Sequence, residues 1–209
     1  NKLKIAKAFL VENPDMADNI SALENAMPEP LQAADIVVKL GASWVDEKYI
    51  EQFIAEKFEI PITSAGEIKV GHNNYSANWN VENKSYLSAV SRIVCTEKYG
   101  TKRKNALEIL EASLNQRDIS VYDMVYNSEK DKDERVINHD ETLLARQKQD
   151  AIEREFTEWI FADAERRNDL VEKYNVLFNS TRNRQYDGSH LNFEGMNANI
   201  ELRKHQRDA

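Results

Sequence analysis

One cysteine, four prolines and six glycines are all this 209-residue chain has of the residues that staple, stop or loosen a backbone. A solitary Cys95 excludes an internal disulfide and suits a reducing cytoplasm. With no obvious base to activate it, it reads as a small buried hydrophobe rather than a nucleophile. No apolar run approaches the roughly 20 residues that span a bilayer, and no signal peptide is visible, so a membrane partner is not expected. The glycines offer one phosphate-loop spacing, Gly66 to Gly71, but His72 and Asn73 stand where Lys and Ser/Thr would hold phosphate and magnesium. There is no G-x-S-x-G elbow and no H-E-x-x-H pair. His72, His139, His190 and His205 are dispersed, without cysteines at zinc spacing. A methyltransferase acting on the exocyclic amine of adenine needs a Pro-Pro loop to hold the flipped base. The nearest approach is Asn13-Pro14-Asp15-Met16, and no Pro-Pro occurs.

Positive charge is also in short supply. Twenty-eight basic against thirty-six acidic residues leave a formal net charge of −8, where a domain gripping DNA through phosphates usually has a basic excess. DNA binding by this chain alone is therefore expected to be weak. Lys98, Lys102, Arg103 and Lys104 form one compact basic cluster. With Arg182 and Arg184 they are the candidate DNA contacts. Asp140-Glu141 follows Val136-Ile137 as a magnesium-binding acidic pair would, but acidic residues in the first turn of a helix also stabilise its positive end by about 0.3–1 kcal/mol, which is the simpler account.

What is present is periodicity. Leu3, Ile5, Ala6, Leu10 and Val11 suit a helix over 2–12 that ends before Asn13-Pro14. Asp15 is placed to cap a second helix running to Met27, with Met16, Ile20, Leu23 and Met27 on one face, and Pro28 and Pro30 stop it. Ile36–Leu40 is a strand or a tight buried crossing, turned at Gly41. Asp46 opens a third helix that faces Tyr49, Ile50, Phe53, Ile54 and Phe58 inward. Residues 67–81 change to period two and predict a β-hairpin with its turn at Gly71–Asn74. Residues 86–99 mix β-branched and aromatic types and settle on no state. A helix is expected over 102–114, a strand over 119–126, a polar loop over 128–135 and a return strand at Val136-Ile137. Asn138 caps the longest helical region, whose stripes Ile152–Ile160 and Leu170–Phe178 break near Ala162-Asp163 and suggest a helical hairpin. After Asn179 the periodicity stops until about Glu201. Of the three tryptophans, Trp159 lies on an apolar stripe, Trp44 fits a packing role before its helix, and Trp79 is the most open and the best candidate for base stacking. The expected fold is α+β, a mostly helical domain over 1–178 with a small antiparallel sheet, followed by an extended segment over 179–209.

Several stretches carry a resemblance. They are Leu40–Val45, Tyr99-Gly100-Thr101 through Asn105-Ala106, Leu114–Asp118, Arg146–Gln149, Trp159–Phe161, Phe178–Arg182, Tyr186–His190 and Leu202–Gln206. In these the chain resembles very large proteins of phages and conjugative elements that join an adenine-specific DNA methylase to a Swi/Snf-like superfamily 2 helicase. The resemblance implies an internal piece just upstream of the helicase core, and the first residue Asn1 and the break after Ala209 fit such a piece. It implies that the parent hydrolyses ATP with magnesium, uses S-adenosylmethionine and acts on DNA. It also implies that Gln206, supported by Arg203, contacts adenine, because a side-chain amide both donates to and accepts from that base. His205 departs from the family pattern, where an aromatic residue is common. Within these 209 residues the expected role is non-catalytic, needing no cofactor: to connect the methylase and helicase domains and guide DNA. The rival expectation is a protein-interaction or purely structural module with no nucleic-acid contact.

Overall fold

The computed structural model describes residues 2–10, 13–60, 68–73, 75–84, 89–180, 187, 188, 190, 195–197 and 200–208. In chain order the elements are α1 (Lys2–Phe9), α2 (Ala17–Ala26), α3 (Glu47–Lys57), β1 (Val70–Asn73), β2 (Asn78–Val81), α4 (Ala89–Ile93), α5 (Ala106–Leu114), β3 (Tyr122–Asn127), β4 (Lys132–Ile137), α6 (His139–Ile160), α7 (Ala164–Phe178) and α8 (Lys204–Arg207). The fold is α+β, as expected: helices in the majority with two small antiparallel hairpins, β1–β2 and β3–β4. The chain forms two compact units, Leu31–Tyr174 and, separately, Asn1–Pro30 with Asn175–Ala209.

The core of the larger unit is built where three helices meet. From α3 come Ile50, Phe53 and Ile54, from α5 Leu107, Ile109, Leu110 and Leu114, and from α6 Ile152, Phe156 and Ile160, all essentially inaccessible. Phe53 is the hub, with the rings of Phe58, Phe156 and Trp159 edge-on to it at 5.8, 5.3 and 5.4 Å. Edge-to-face geometry lets the positive rim of one ring meet the negative face of the next. Ile36, Val38 and Leu40 are buried while Val37 is exposed. Of the two readings of 36–40, the buried crossing is the one adopted, since this stretch joins neither hairpin.

Side chains set the helix starts. Asn105 accepts from the Glu108 amide at 2.9 Å while Glu108 takes the Asn105 amide at 3.1 Å, a reciprocal cap that starts α5 at Ala106 rather than at Lys102. Asn138 caps α6 as expected, accepting from Glu141 N at 3.0 Å, and Asp140 and Glu141 lie in the first turn. The expected Asp15 cap does not form, whereas Asp46 opens α3 as expected, standing just before Glu47. Asp15 lies inside the short helical turn Pro14–Met16 that precedes α2. Asp46 caps nothing with its side chain, but pairs with Lys173 at 2.6 Å. The undecided stretch 86–99 contains α4 and a π-helical turn, Val94–Lys98.

The hairpins differ from expectation in ways that matter for the site. The strands of β1–β2 run through Asn73 and Asn78, so Gly71–Asn73 belong to β1 and Tyr75–Ala77 to the turn. Register pairs His72 with Trp79 on the inner face, and the Trp79 indole donates to the Gly41 carbonyl at 3.1 Å. Trp79 is therefore 4% exposed, and the sequence expectation that it is the most open tryptophan is wrong. Alternation in a strand establishes two faces without saying which one is covered. Both outer edges of this hairpin are closed by helix side chains. Glu51 and Glu47 of α3 accept from the amides of Val70 and His72, and Asn115 and Glu111, at the end of α5 and within it, accept from those of Trp79 and Val81. In β3–β4 the ladder begins at Tyr122 and ends at Ile137. Of the second stripe, Leu170 is buried, Val171 and Tyr174 pack partly buried against the core, and Leu177 and Phe178 are exposed. The corner between α6 and α7 is held by Arg166, buried, which donates to the carbonyls of Ile160 and Trp159 at 2.9 and 2.7 Å with its guanidinium 3.5 Å over the Trp159 ring.

Candidate nucleic-acid interface

The basic cluster spans the end of the π-helical turn, at Lys98, and the loop that follows it to α5, which holds Lys102, Arg103 and Lys104. Gly100 is required there: a Cβ on it would lie 1.9 Å from the Cys95 carbonyl oxygen. Thr101 then folds the loop on itself. Its amide donates to Lys104 O at 2.7 Å, and its hydroxyl accepts from the amides of Arg103 and Lys104 at 3.2 and 3.0 Å. This tight turn fans the basic side chains in different directions. Arg103 reaches β3, donating to Asp123 Oδ1 at 2.9 Å and to the Tyr122 carbonyl at 2.8 Å. Lys104 pairs with Glu108 at 2.8 Å, one turn along α5. The Lys98 ammonium lies 4.8 Å over the Tyr99 ring. Lys102 is exposed and has no hydrogen-bond partner among the described residues.

The carboxylates answer these cations. Asp123 is held below the ordinary carboxylate range, first by the Asn138 amide at 2.8 Å and then by Arg103. Glu155 is likewise lowered, chiefly by Lys57 at 2.7 Å, with Lys98 contributing. Lys148 of α6 donates to the carbonyls of Glu97 and Lys98 at 2.7 and 2.9 Å, using its charge to satisfy the end of the π-helical turn. Cys95, inside that turn, is inaccessible, and burial pushes its thiol up to about 12. Of the candidate contacts, then, Arg103 and Lys104 are paired with carboxylates, Lys98 and Lys102 face solvent, and Arg182 and Arg184 lie outside the described residues.

The proposed adenine contact is built in α8. Gln206 is exposed, and its side-chain oxygen accepts from the Arg203 amide at 3.0 Å, closing the one-turn helix. The acceptor half of the amide that would read adenine is occupied locally. Arg203, at the N-terminal boundary of this turn, is also exposed. Gly188 approaches the same turn closely: its amide donates to Asp208 at 3.1 Å, and a Cβ on it would meet the Arg207 carbonyl at 1.6 Å.

A different set of residues comes together that sequence reasoning did not pair. Gln116 donates to the Leu40 carbonyl at 2.7 Å, and the backbone of Leu114 packs where a Cβ of Gly41 would be, 2.1 Å from that position. Asn115 binds Trp79 through both its amide and its carbonyl. Gln149 accepts from Ile119 N at 3.0 Å and donates to Arg117 O at 2.8 Å, while Arg146 approaches Asp118. The stretch Leu114–Asp118 thus meets Leu40-Gly41 on one side and Arg146 and Gln149 on the other, and Gln116 and Gln149 satisfy backbone groups there. The polar types at fixed offsets from Gly41 and Leu114 were the only available signal, and it does not name their partners.

Among the described residues no group of three or more His, Cys, Asp or Glu side chains is arranged to hold a metal ion. The hollows beside Asp150–Glu158 on α6 and over Gly71, Tyr75 and Asn78 on β1–β2 are open and shallow. No helix among these residues is long and apolar enough to cross a membrane.

These features define a mostly helical α+β module whose polar residues chiefly hold its own backbone. Residues 39–180, more than half of the chain, match a family described as a domain of unknown function, DUF8437, and the chain belongs to that family. No curated protein and no solved structure matches it.

Proposed function

We propose that this chain is a non-catalytic connecting module of a DNA methylase–helicase polypeptide of a phage or conjugative element. It places the methylase beside the ATP-dependent motor, in the cytoplasm, by contacts with protein. One observation carries the choice of protein over DNA: Arg103 and Lys104, the centre of the only compact basic cluster, are paired with Asp123 and Glu108. Contacts to phosphate would have to break those pairs in a chain whose net charge is already −8. ATP with magnesium and S-adenosylmethionine belong to the neighbouring domains of the parent, with Gln206 and Arg203 at the approach to the motor. Guidance of a DNA strand is the second reading, favoured by the solvent-facing Lys98 and Lys102 and by Arg182 and Arg184.

The readings separate in a fluorescence anisotropy titration with single- and double-stranded DNA at two salt concentrations. Each phosphate neutralised in duplex DNA steepens the slope of log K against log salt by about 0.9. With Arg103 and Lys104 held in ion pairs, the cluster leaves Lys98 and Lys102 to meet phosphate, and binding is expected to be weak, with a slope no steeper than about −2. Tight binding with a slope near −4 or steeper would establish DNA guidance instead.

A further inference from the structure

Asparagine and glycine are poor strand formers, yet they make up the whole outer face of β1–β2. The register puts Val70, His72, Trp79 and Val81 inward and Gly71, Asn73, Asn78 and Asn80 outward. All four outward residues are exposed. A glycine inside a strand marks a bulge, a bend, or a place where a ligand or another backbone comes close. The ladder runs through Gly71 without a bulge, and among the described residues a Cβ on it would meet nothing within 4 Å. The bare backbone at Gly71 is therefore not explained by the packing of this chain. A face that breaks the local rule without a packing reason is where function is expected.

This face is held in place from outside. Glu47, Glu51, Glu111 and Asn115 close both edges of the hairpin, and the Trp79 indole ties its inner face to the Gly41 carbonyl. At the turn, Asn73 Oδ1 accepts from the amides of Tyr75 and Ser76 at 2.9 and 3.2 Å. Tyr75, fully exposed, lines the same hollow as Asn78 and Asn80. Neither the Asn78 nor the Asn80 side-chain amide has a hydrogen-bond partner among the described residues. The chemistry of the hollow points to its ligand. Residues 70–81 contain no Asp, Glu, Lys or Arg in a chain that is 31% charged, so the ligand is neutral where it touches. A primary amide donates and accepts side by side, and an unpaired nucleobase offers the complementary pair, as adenine does at N6 and N7. An exposed tyrosine ring supplies a stacking surface for a base. An extended peptide fits less well, since both edges that would take a strand are filled and the face has no apolar pockets for side chains. Contacts to a base need no phosphate, so a net charge of −8 does not oppose them.

We propose that the outer face of β1–β2 binds an unpaired nucleobase, stacked on Tyr75 and hydrogen-bonded by the amides of Asn78 and Asn80 beside the bare backbone of Gly71. One stacked base and two amides make a weak site, of millimolar affinity for a single nucleoside. The site goes beyond the connecting role and does not depend on the parent polypeptide.

Adenosine, a base without phosphate, is titrated into the whole chain to about 10 mM while heteronuclear NMR spectra follow the asparagine side-chain amides. The signals of Asn78 and Asn80 are expected to shift along a curve that bends towards saturation and is the same at about 0.05 and 0.5 M salt. Methyl glucoside, a neutral ring that cannot stack as a base does, is expected to leave them in place. Tyr75→Ala and Asn80→Ala each weaken binding at least about fivefold, and an unmoved Trp79 indole N–H signal shows that the hairpin still stands in them. Gly71→Val separates binding from folding. A β-branched residue suits the strand and leaves the melting temperature at least as high, while its side chain covers the backbone beside Asn80 and weakens binding. Asn78 and Asn80 signals that stay put at the highest adenosine concentration overturn the proposal. So does binding unchanged by Tyr75→Ala, Asn80→Ala and Gly71→Val, or methyl glucoside shifting the same signals as strongly, which would make the hollow a sugar site.

Discussion

Cys95 shows how completely one side chain is defined by its surroundings. It is inaccessible, its carbonyl is approached by Gly100, and burial without a neighbouring cation pushes its thiol up to about 12. Thiolate is the reactive species, so a thiol so far above neutral pH is nearly all protonated. We expect a thiol reagent at pH 8 to leave the native chain unlabelled and to label one site per chain once urea unfolds it. Labelling of the native chain at the rate of a free thiol would show that Cys95 is open to solvent. The sequence supports this placement on composition alone, through a single cysteine among apolar neighbours. It misses Trp79, because alternation along a strand identifies a pair of faces and only the chain packed against one of them decides which is dry.

At the scale of elements, α3 and α7 are joined through polar groups as much as through apolar ones. The Tyr49 hydroxyl donates to Asp169, Lys48 lies 3.5 Å from the same carboxylate, Lys173 pairs with Asp46, and the Trp44 and Tyr174 rings meet edge-on at 5.2 Å. Asp169 is held below the ordinary carboxylate range, chiefly by the Tyr49 hydroxyl and then by Lys48 after the opposing effect of burial. A carboxylate lowered in the folded chain contributes stability that is fully present above its unfolded pKa. That contribution is lost as pH falls through the lowered value. The melting temperature should therefore fall as pH drops below about 4, and Asp169→Asn should have a lower melting temperature at pH 7 with a shallower decline in acid. A variant that melts like the parent chain at pH 7 would remove Asp169 from the joint. Helix existence was legible here from the stripes of 47–58 and 139–160, because a 3.6-residue period leaves a long trace. Helix starts were less so: Asn138 and Asn105 cap, whereas Asp15 and Asp46, equally suitable by type, do not. A capping residue acts only if the chain before it turns the right way, and that turn is fixed by packing elsewhere.

The whole molecule is organised around satisfying its own backbone. Four of the eight stretches that carry the sequence resemblance, Leu40–Val45, Tyr99–Ala106, Leu114–Asp118 and Arg146–Gln149, supply Gly41, Gly100, Thr101, Asn105, Asn115, Gln116, Lys148 and Gln149, each of which meets backbone in the fold. A distinctive residue in this chain is more often a brace than a reagent. The basic cluster was visible in the sequence as four cations over seven positions, but their partners were not, because Asp123 lies on a strand 20 residues from Arg103. Through Arg103–Asp123 and Lys104–Glu108 this cluster belongs to the fold. A double-mutant cycle over Arg103→Ala and Asp123→Ala, followed by urea unfolding, tests it most directly. We predict a favourable coupling that exceeds the error of the measurement, small because both side chains are exposed to solvent. A coupling of zero would contradict the account and return Arg103 to the pool of charges available for DNA.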